Sequence, residues 1–381
     1  MTPSRGSALL VLGTRPEAIK LVPVYRELRA PGSAWDVKLC VTGQHRALLD
    51  DVLTPFAIVP DFDLQIMRPD QRTSDVAAAV LSQLGRVVEQ IAPAVILVQG
   101  DTTSAMAAGM LGFYTGIPVG HVEAGLRTGD LNSPYPEEFN RRVLTLAAAW
   151  HFAPTERARA NLLREGVPSQ RVLVTGNTGI DALLEALQLP FAWEQSPLAG
   201  VPRDRSILAV TLHRRESFGT PLEGLGDVLR DFALAHPETR IVLPMHPNPR
   251  VQEALRPRLQ HIETVHILPP LEYLPFINLL SGSFAILTDS GGIQEEAPTL
   301  GKPILVARDV TERPEAVEAG LATLVGTEPS RIRSALEALL AAPAGQARVV
   351  PAPNPFGDGR AAERIVAFIT EKLGQCSVAE L

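Results

Sequence analysis

QLPFAWEQSPLAGVPRDR (188–205) is rich in proline and shows neither helical nor strand periodicity. Proline locks φ and removes a backbone donor, so a stretch of this kind joins elements rather than forming them. What lies on either side decides the fold. Upstream, short apolar runs alternate with helix-length amphipathic stretches such as DVAAAVLSQLGRVVEQIA (75–92). The runs are ALLVLG (8–13), VKLCVTG (37–43), AVILVQG (94–100), PVGHVEA (118–124), WHFAP (150–154) and RVLVTGN (171–177). Downstream the rhythm resumes with SILAVTLH (206–213), RIVLPMH (240–246), TVHILPP (264–270), FAILTDS (284–290), PILVAR (303–308) and ATLVGT (322–327). Continuous apolar strands separated by helices indicate parallel sheets covered on both faces. The expected architecture is α/β, with two doubly wound parallel-sheet domains facing each other across a cleft. Their expected bounds are 1–187 and 206–358, with 188–205 as a linker. PAPNPFGDGR (351–360) precedes a last helix, AAERIVAFITEKLG (361–374), and residues 359–381 are expected to pack back on the first domain.

The bulk properties narrow the function classes. At 381 residues the chain exceeds one ordinary core, and 45% apolar with 20% charged residues is a globular composition. A net charge of −7 without a basic run argues against a nucleic-acid partner. No window approaches the ~20 apolar residues of a membrane helix, so no membrane partner is expected. ALLVLG is too short for a signal-peptide core, and Cys40 and Cys376 stand far apart as thiols do in a reducing compartment. A cytoplasmic protein is expected. GxxxxGK[ST], GxGxxG after a strand, HExxH, CxxC and GxSxG do not occur. That argues against a P-loop enzyme, a dinucleotide oxidoreductase, a zinc site and an α/β-hydrolase, and neither cofactor nor metal is expected.

The polar turns cluster after strands, where such folds bind ligands. GTRPEAIK (13–20) starts a helix with Pro16 in its first turn and aims Arg15 and Lys20 at a ligand; alone, it reads equally as a capped helix with solvated charges. In QGDTTSA (99–105), Asp101 follows a buried strand, with Thr102 or Thr103 as helix cap. In HVEAGLRTGD (121–130), Glu123 follows an apolar run, and an acid buried without partners is costly, so it needs a role. SPYPEEFNRR (133–142) puts Glu137 and Glu138 at a helix start, which the helix dipole alone would explain. TLHRRESFG (211–219) offers His213 beside Arg214 and Arg215, PMHPNPRV (244–251) offers His246, and TERPEAV (311–317) offers Arg313. TDSGGIQEEAPTLGKPI (288–304) is a turn suited to an anion that nonetheless carries Glu295 and Glu296 in its first helical turn.

Taken in order, GTRPEAIK, QHR (44–46), GDTT (100–103), HVEAGLRTGD, PEEFNRR (136–142), TGNTGIDAL (175–183), HRRESFG (213–219), TDSGGIQEEAP and TERPEAV span nearly the whole chain. Together they closely resemble the non-hydrolysing UDP-N-acetylglucosamine 2-epimerases. The resemblance implies a glycosyltransferase-B-like fold, a homodimer and interconversion of UDP-N-acetylglucosamine and UDP-N-acetylmannosamine, with UDP as the leaving group, for bacterial surface polysaccharide. It places Arg15, Lys20, Asp101, Glu123, His213, Phe276, Ser290, Gly291, Gly292, Glu296 and Arg313 on substrate-binding positions. Asp101, Glu123, Glu137 and His213 fall on catalytic positions. Gln44, Arg214 and His246 match a regulatory second nucleotide-sugar site, in which Ala47 replaces a longer polar residue, so weakened substrate activation is expected. Leu271 stands where some members carry a glutamine.

This resolves the acidic turn. Ser290 and the amides of Gly291 and Gly292 would hold the diphosphate, while Glu296 would accept from the ribose diol and Glu295 would be a structural or solvated neighbour. Other readings stay open: a hydrolysing 2-epimerase, a UDP-sugar-dependent glycosyltransferase on the same fold, and a catalytically silent nucleotide-sugar sensor.

Overall fold

A computed structural model describes residues 6–43, 46–68, 70–214, 218–341 and 353–376. The chain divides into two compact units, one formed by Met1–Glu185 with Phe356–Leu381 and the other by Ala186–Pro355.

The first unit is built on seven parallel strands: β1 (Ser7–Leu12), β2 (Asp36–Val41), β3 (Phe62–Asp63), β4 (Val95–Gln99), β5 (Val119–Val122), β6 (Trp150–Ala153) and β7 (Val172–Val174), in the order β3-β2-β1-β4-β5-β6-β7. β1 is the hub. It pairs with β2 from Ser7↔Asp36 to Leu12↔Val41 and with β4 from Ala8↔Val95 to Leu10↔Leu97, and Ala8 to Leu12 are buried on both faces. The sequence predicts six strands here. The seventh, β3, pairs only two residues with Cys40 and Val41, too few to leave a hydrophobic pattern.

The helix Thr103–Thr115 has little side-chain bulk facing its neighbours and is buried along most of its length. A Cβ at Gly109 would overlap Leu144, and one at Gly112 would overlap Val119. These glycines let the helix Glu137–Ala147 and strand β5 approach closely. The final helix, Ala361–Cys376, belongs to the first unit. Its Ile365 and Ile369 are fully buried, Phe368 meets Phe152 edge-on at 5.7 Å, and Thr370 accepts from Trp35 Nε1 at 3.1 Å. Asp181, on the helix Thr178–Ala186, accepts the amide of Ala362 at 2.8 Å, and burial pushes its carboxyl up to about 6.

The second unit carries β8 (Ser206–Thr211), β9 (Thr239–Pro244), β10 (Val265–Leu268), β11 (Ala285–Thr288), β12 (Ile304–Val306) and β13 (Ala322–Leu324), parallel and ordered β10-β9-β8-β11-β12-β13. In both sheets the order reverses beside the first strand, at β1/β4 and at β8/β11. Such switch points leave a crevice at the carboxyl ends of the strands.

The stretch 188–205 is not an open tether. Trp193, in a short 3₁₀ turn (Trp193–Gln195), is buried, donates from Nε1 to the Val201 carbonyl at 3.1 Å, and lies under the Arg203 guanidinium at 5.2 Å. Leu198 and Val201 are buried as well, and the segment belongs to the second unit. Its apolar residues follow no regular period because the segment packs as irregular chain. No helix among the described residues is long and apolar enough to cross a membrane.

Candidate active site

In the first unit three strand ends converge. β1 ends in Gly13 and Thr14, whose amides donate to Glu17 Oε2 at 3.0 and 2.7 Å, with the Thr14 hydroxyl adding a third bond at 2.7 Å. Thr102, from the turn after β4, donates its hydroxyl to the other oxygen, Oε1, at 2.7 Å. Glu17 is buried and thus staples the two turns at the switch point. Burial pushes its carboxyl up, and the bonds from Thr102, Thr14 and Gly13 oppose that rise. Arg15 stands half-buried at the start of the helix Arg15–Leu28, and Lys20 lies one turn further along.

Glu123, directly after β5, pairs with Lys20 through Oε1, takes a bond from the Gln99 amide on Oε2, and accepts from Asn177 Nδ2 at 3.1 Å. Its backbone sits at φ +64°, a left-handed conformation that costs a non-glycine residue on the order of 1 kcal/mol or more. Three donors from β4, the first helix and the loop after β7 aim the carboxylate, and that aim compensates the strained backbone.

Asp101 follows Gly100, itself at φ +74°. Its carboxylate takes a bond from Arg141 Nη1, and its carbonyl accepts from Asn140 Nδ2 at 2.8 Å. Burial raises the Asp101 pKa; Arg141 pulls it back, Glu123 adds to the rise, Lys20 opposes and Glu137 adds again. Glu137 therefore belongs to the same electrostatic cluster, and its Oε2 is buried with no hydrogen bond to a described residue. Neighbouring Glu138, fully buried, accepts from Arg141 Nε at 3.0 Å and Nη2 at 2.9 Å.

His121 of β5 is fully buried with Nε2 2.7 Å from the Gly100 carbonyl. Burial drives its pKa down to about 4, against the pull of that bond, so the ring is neutral and Nε2 is the donor. It pairs in register with His151 of β6, which burial drives down to about 3.

In the second unit, Asp289 follows β11 and is fully buried. Its Oδ2 accepts the amides of His213 and Arg214 at 2.8 and 2.9 Å, and its Oδ1 lies 3.0 Å from His213 Nδ1. Burial would raise Asp289, but the bond and charge of His213 and the two amides outweigh it, and the net shift is down. The His246 ring stacks on His213 at 5.8 Å. Ser290 precedes the short helix Gly291–Glu296, in which Gly292 and half-buried Glu296 follow. A Cβ at Gly291 would stand 3.5 Å from Arg214 Nη2 and 3.9 Å from the Arg313 guanidinium, so two arginines converge on this turn. Arg313 pairs with Glu295, which is buried rather than solvated, and Arg214 lies 3.5 Å from Glu312. Phe276 is half-buried on a separate helix, Tyr273–Gly282. Gln44 lies outside the described residues, and no group of His, Cys, Asp and Glu among those described could hold a metal ion.

The family model of UDP-N-acetylglucosamine 2-epimerase matches residues 27–370. The chain belongs to that family. It is 48% identical over 372 residues to the UDP-N-acetylglucosamine 2-epimerase of Yersinia pestis, covering 94% of this chain and 96% of that one. The Escherichia coli K12 epimerase is also 48% identical, over 364 residues, covering 94% and 96%. The solved UDP-GlcNAc 2-epimerase of Neisseria meningitidis, bound to UDP-GlcNAc, is 44% identical with a TM-score of 0.86, covering 96% of this chain and 100% of that one. The two parallel sheets are those of the glycosyltransferase-B-like epimerase fold.

Sequence reading missed Glu17, Gln99, Arg141, Asn177 and Asp289, and gave Glu138 no role beyond the helix dipole. Thr14-x-x-Glu17 is a capping-box spacing, so Glu17 left a local signal. Asp289 left one too, as an acid directly after an apolar strand. Gln99 and Asn177 meet Glu123, and Arg141 meets Asp101, only through the fold.

Proposed function

We propose that the chain interconverts UDP-N-acetylglucosamine and UDP-N-acetylmannosamine by eliminating UDP to 2-acetamidoglucal and adding it back. The observation that carries this reading is the cluster of Lys20, Asp101, Glu123 and Glu137 at the carboxyl ends of β1, β4 and β5 in a member of this family.

The sugar C2 proton is not next to a carbonyl, so its simple removal is very unfavourable. It does stand beside the anomeric carbon, which bears a good leaving group. As a carboxylate takes the C2 proton, the C–H electrons form the C1=C2 double bond and the C1–O bond breaks, with its electron pair leaving on UDP. Reversal with proton delivery to the other face inverts C2. The step needs acid–base groups for two faces, and Asp101, Glu123 and Glu137 are the candidates. A carboxyl raised by burial, as Asp101 is, holds and releases its proton nearer neutral pH than an ordinary aspartate. Because the scheme moves a proton and a leaving group without net oxidation, it needs no nicotinamide.

The second unit suits the nucleotide. The Ser290–Gly292 turn and Arg313 match a diphosphate, Glu296 a ribose diol, and Phe276 completes the set. His213, oriented by Asp289, stabilises charge on departing UDP, and Arg15 adds a cation on the first unit. Arg214 and His246, with Gln44, form the regulatory set, weakened by Ala47. A cytoplasmic homodimer serving surface-polysaccharide synthesis completes the reading.

Proton NMR of UDP-N-acetylglucosamine with the protein in deuterated water tests it. The expected result is UDP-N-acetylmannosamine carrying deuterium at C2. Free N-acetylmannosamine with UDP would instead mark a hydrolysing epimerase, sugar transfer without C2 exchange a glycosyltransferase, and binding without turnover a sensor.

A further inference from the structure

We propose that Arg141 is the positioning residue of Asp101: buried Glu138 grips one edge of its guanidinium so that the opposite edge holds Asp101 oriented and ionised. The inference rests on reading Asp101 as a proton-transfer group.

The geometry is a relay of charges with one end anchored. Glu138 is fully buried on the helix Glu137–Ala147. Its Oε2 accepts Nε and Nη2 of Arg141 at 3.0 and 2.9 Å, and the Thr128 amide at 3.2 Å, while Arg142 Nε lies 3.4 Å from Oε1. Glu138 is therefore held whether or not Asp101 is present. With Nε and Nη2 engaged, the fork presents Nη1, and Nη1 donates to Asp101 Oδ2. The same helix sends Asn140 Nδ2 to the Asp101 carbonyl at 2.8 Å, so it grips both the backbone and the side chain of this residue. The helix is itself located by the close approach of Leu144 to Gly109. Only a planar fork serves two carboxylates from opposite edges; an ammonium is a point charge without that fixed geometry.

The charged groups facing Asp101 are Arg141 and Glu137 from this helix, Glu123 after β5, and Lys20 from the helix Arg15–Leu28. Two cations face two anions. Burial pushes the Asp101 carboxyl up, and Arg141 is the largest influence holding it down. Removing Arg141 therefore moves Asp101 titration upward. Fewer Asp101 side chains are then ionised at neutral pH, and the limb of the pH–rate profile that Asp101 controls moves to higher pH.

The test is carboxyl NMR of the full chain labelled with ¹³C at aspartate, in which Asp101 is the resonance lost in Asp101→Asn. Arg141→Gln alone strands a buried glutamate, so the main variant is Glu138→Gln with Arg141→Gln, which removes both buried charges. Arg141→Lys is the second arm, and decides the matter if the double variant does not fold. The expected result is a raised Asp101 midpoint in both, smaller for lysine, with kcat falling more than KM rises. A folded variant whose Asp101 midpoint matches wild type overturns the proposal. Asp101→Asn with normal turnover would instead sink the proton-transfer reading, while the titration still decides the role of Arg141.

Discussion

The two sheets run in the same strand order outward from their first strands, the first sheet adding β7 at its edge, yet equivalent switch points carry opposite chemistry. At β1/β4 the turns hold carboxylates in place with cations and amides: Asp101 by Arg141, Glu123 by Lys20, Gln99 and Asn177, and Glu17 by two turns at once. At β8/β11 the buried carboxylate Asp289 holds two backbone amides and His213, while Arg214 and Arg313, the latter paired with buried Glu295, gather at Gly291. Strand order supplies a place for a ligand, and the residues of the turns decide whether that place gathers held carboxylates or cations.

The largest effect that would break this contrast is on rate. Asp101→Asn should lower C2 deuterium incorporation by about 10²–10⁴-fold while leaving UDP affinity, measured by calorimetry, near wild type. An equal loss of UDP affinity would mean the two turns do not divide the labour as described.

Acid should separate the units next. His121 and His151 are held at about 4 and about 3, below the ordinary value near 6.5 that they regain on unfolding. A histidine with a depressed folded pKa contributes stability that is whole above the unfolded value and is lost as pH falls through it toward the folded one. At ~1.4 kcal/mol per proton per pH unit, the two histidines withdraw several kcal/mol between pH 6.5 and 4. The carboxyls that burial raises in the same unit, Asp181 to about 6 with Glu17 and Asp101, offset this in part. His246 and His266 of the second unit also shift down through burial, so the first unit should melt first, not alone. Melting curves at pH 7.5 and 4.5, read from Trp150 in one single-tryptophan variant and Trp193 in another, check this; simultaneous loss would refute it.

Asp289→Asn removes a buried acceptor of charge-assisted bonds, and a loss of about 1.5–3 kcal/mol is expected in denaturant titration. Because Asp289 is depressed, its contribution is present above about pH 4 and lost below. UDP binding should weaken as His213 loses its orientation, while the first-unit tryptophan signal stays put. Smallest of all, Arg203→Ala should cost about 0.5–1 kcal/mol from the stacking over Trp193, seen only in the second-unit transition.

Much of this was legible in the residues. The apolar runs stand where strands form, because strands buried on both faces leave unbroken hydrophobic stretches. β3 left no such trace, since Phe62 and Asp63 complete an edge with two residues. Proline and lack of period marked 188–205 as irregular, which holds, but not that Trp193 anchors it. At the site, Glu123 could be read as an acid following a buried strand. Of the adjacent pair Glu137 and Glu138, the sequence alone does not say which faces inward, because neighbours on a helix differ by about 100° and both suit the dipole. Burial marks Glu138 as the one holding Arg141. That pair lies three residues apart on one helix, whereas Arg141 with Asp101, like Asn177 with Glu123, joins elements that only the folded sheet brings together.

A ribosome making this chain emits the whole of Ala186–Pro355 before it emits the helix that finishes the first unit. At ordinary elongation rates that interval lasts roughly 10–30 s. Through it the nascent first unit has Phe152 and the seats for Ile365 and Ile369 open to water, and Asp181 without the Ala362 amide it will cap. The unit begun first is therefore completed last. A truncation between residues 355 and 361 leaves a chain whose second unit is whole and whose first unit lacks the helix that covers Phe152.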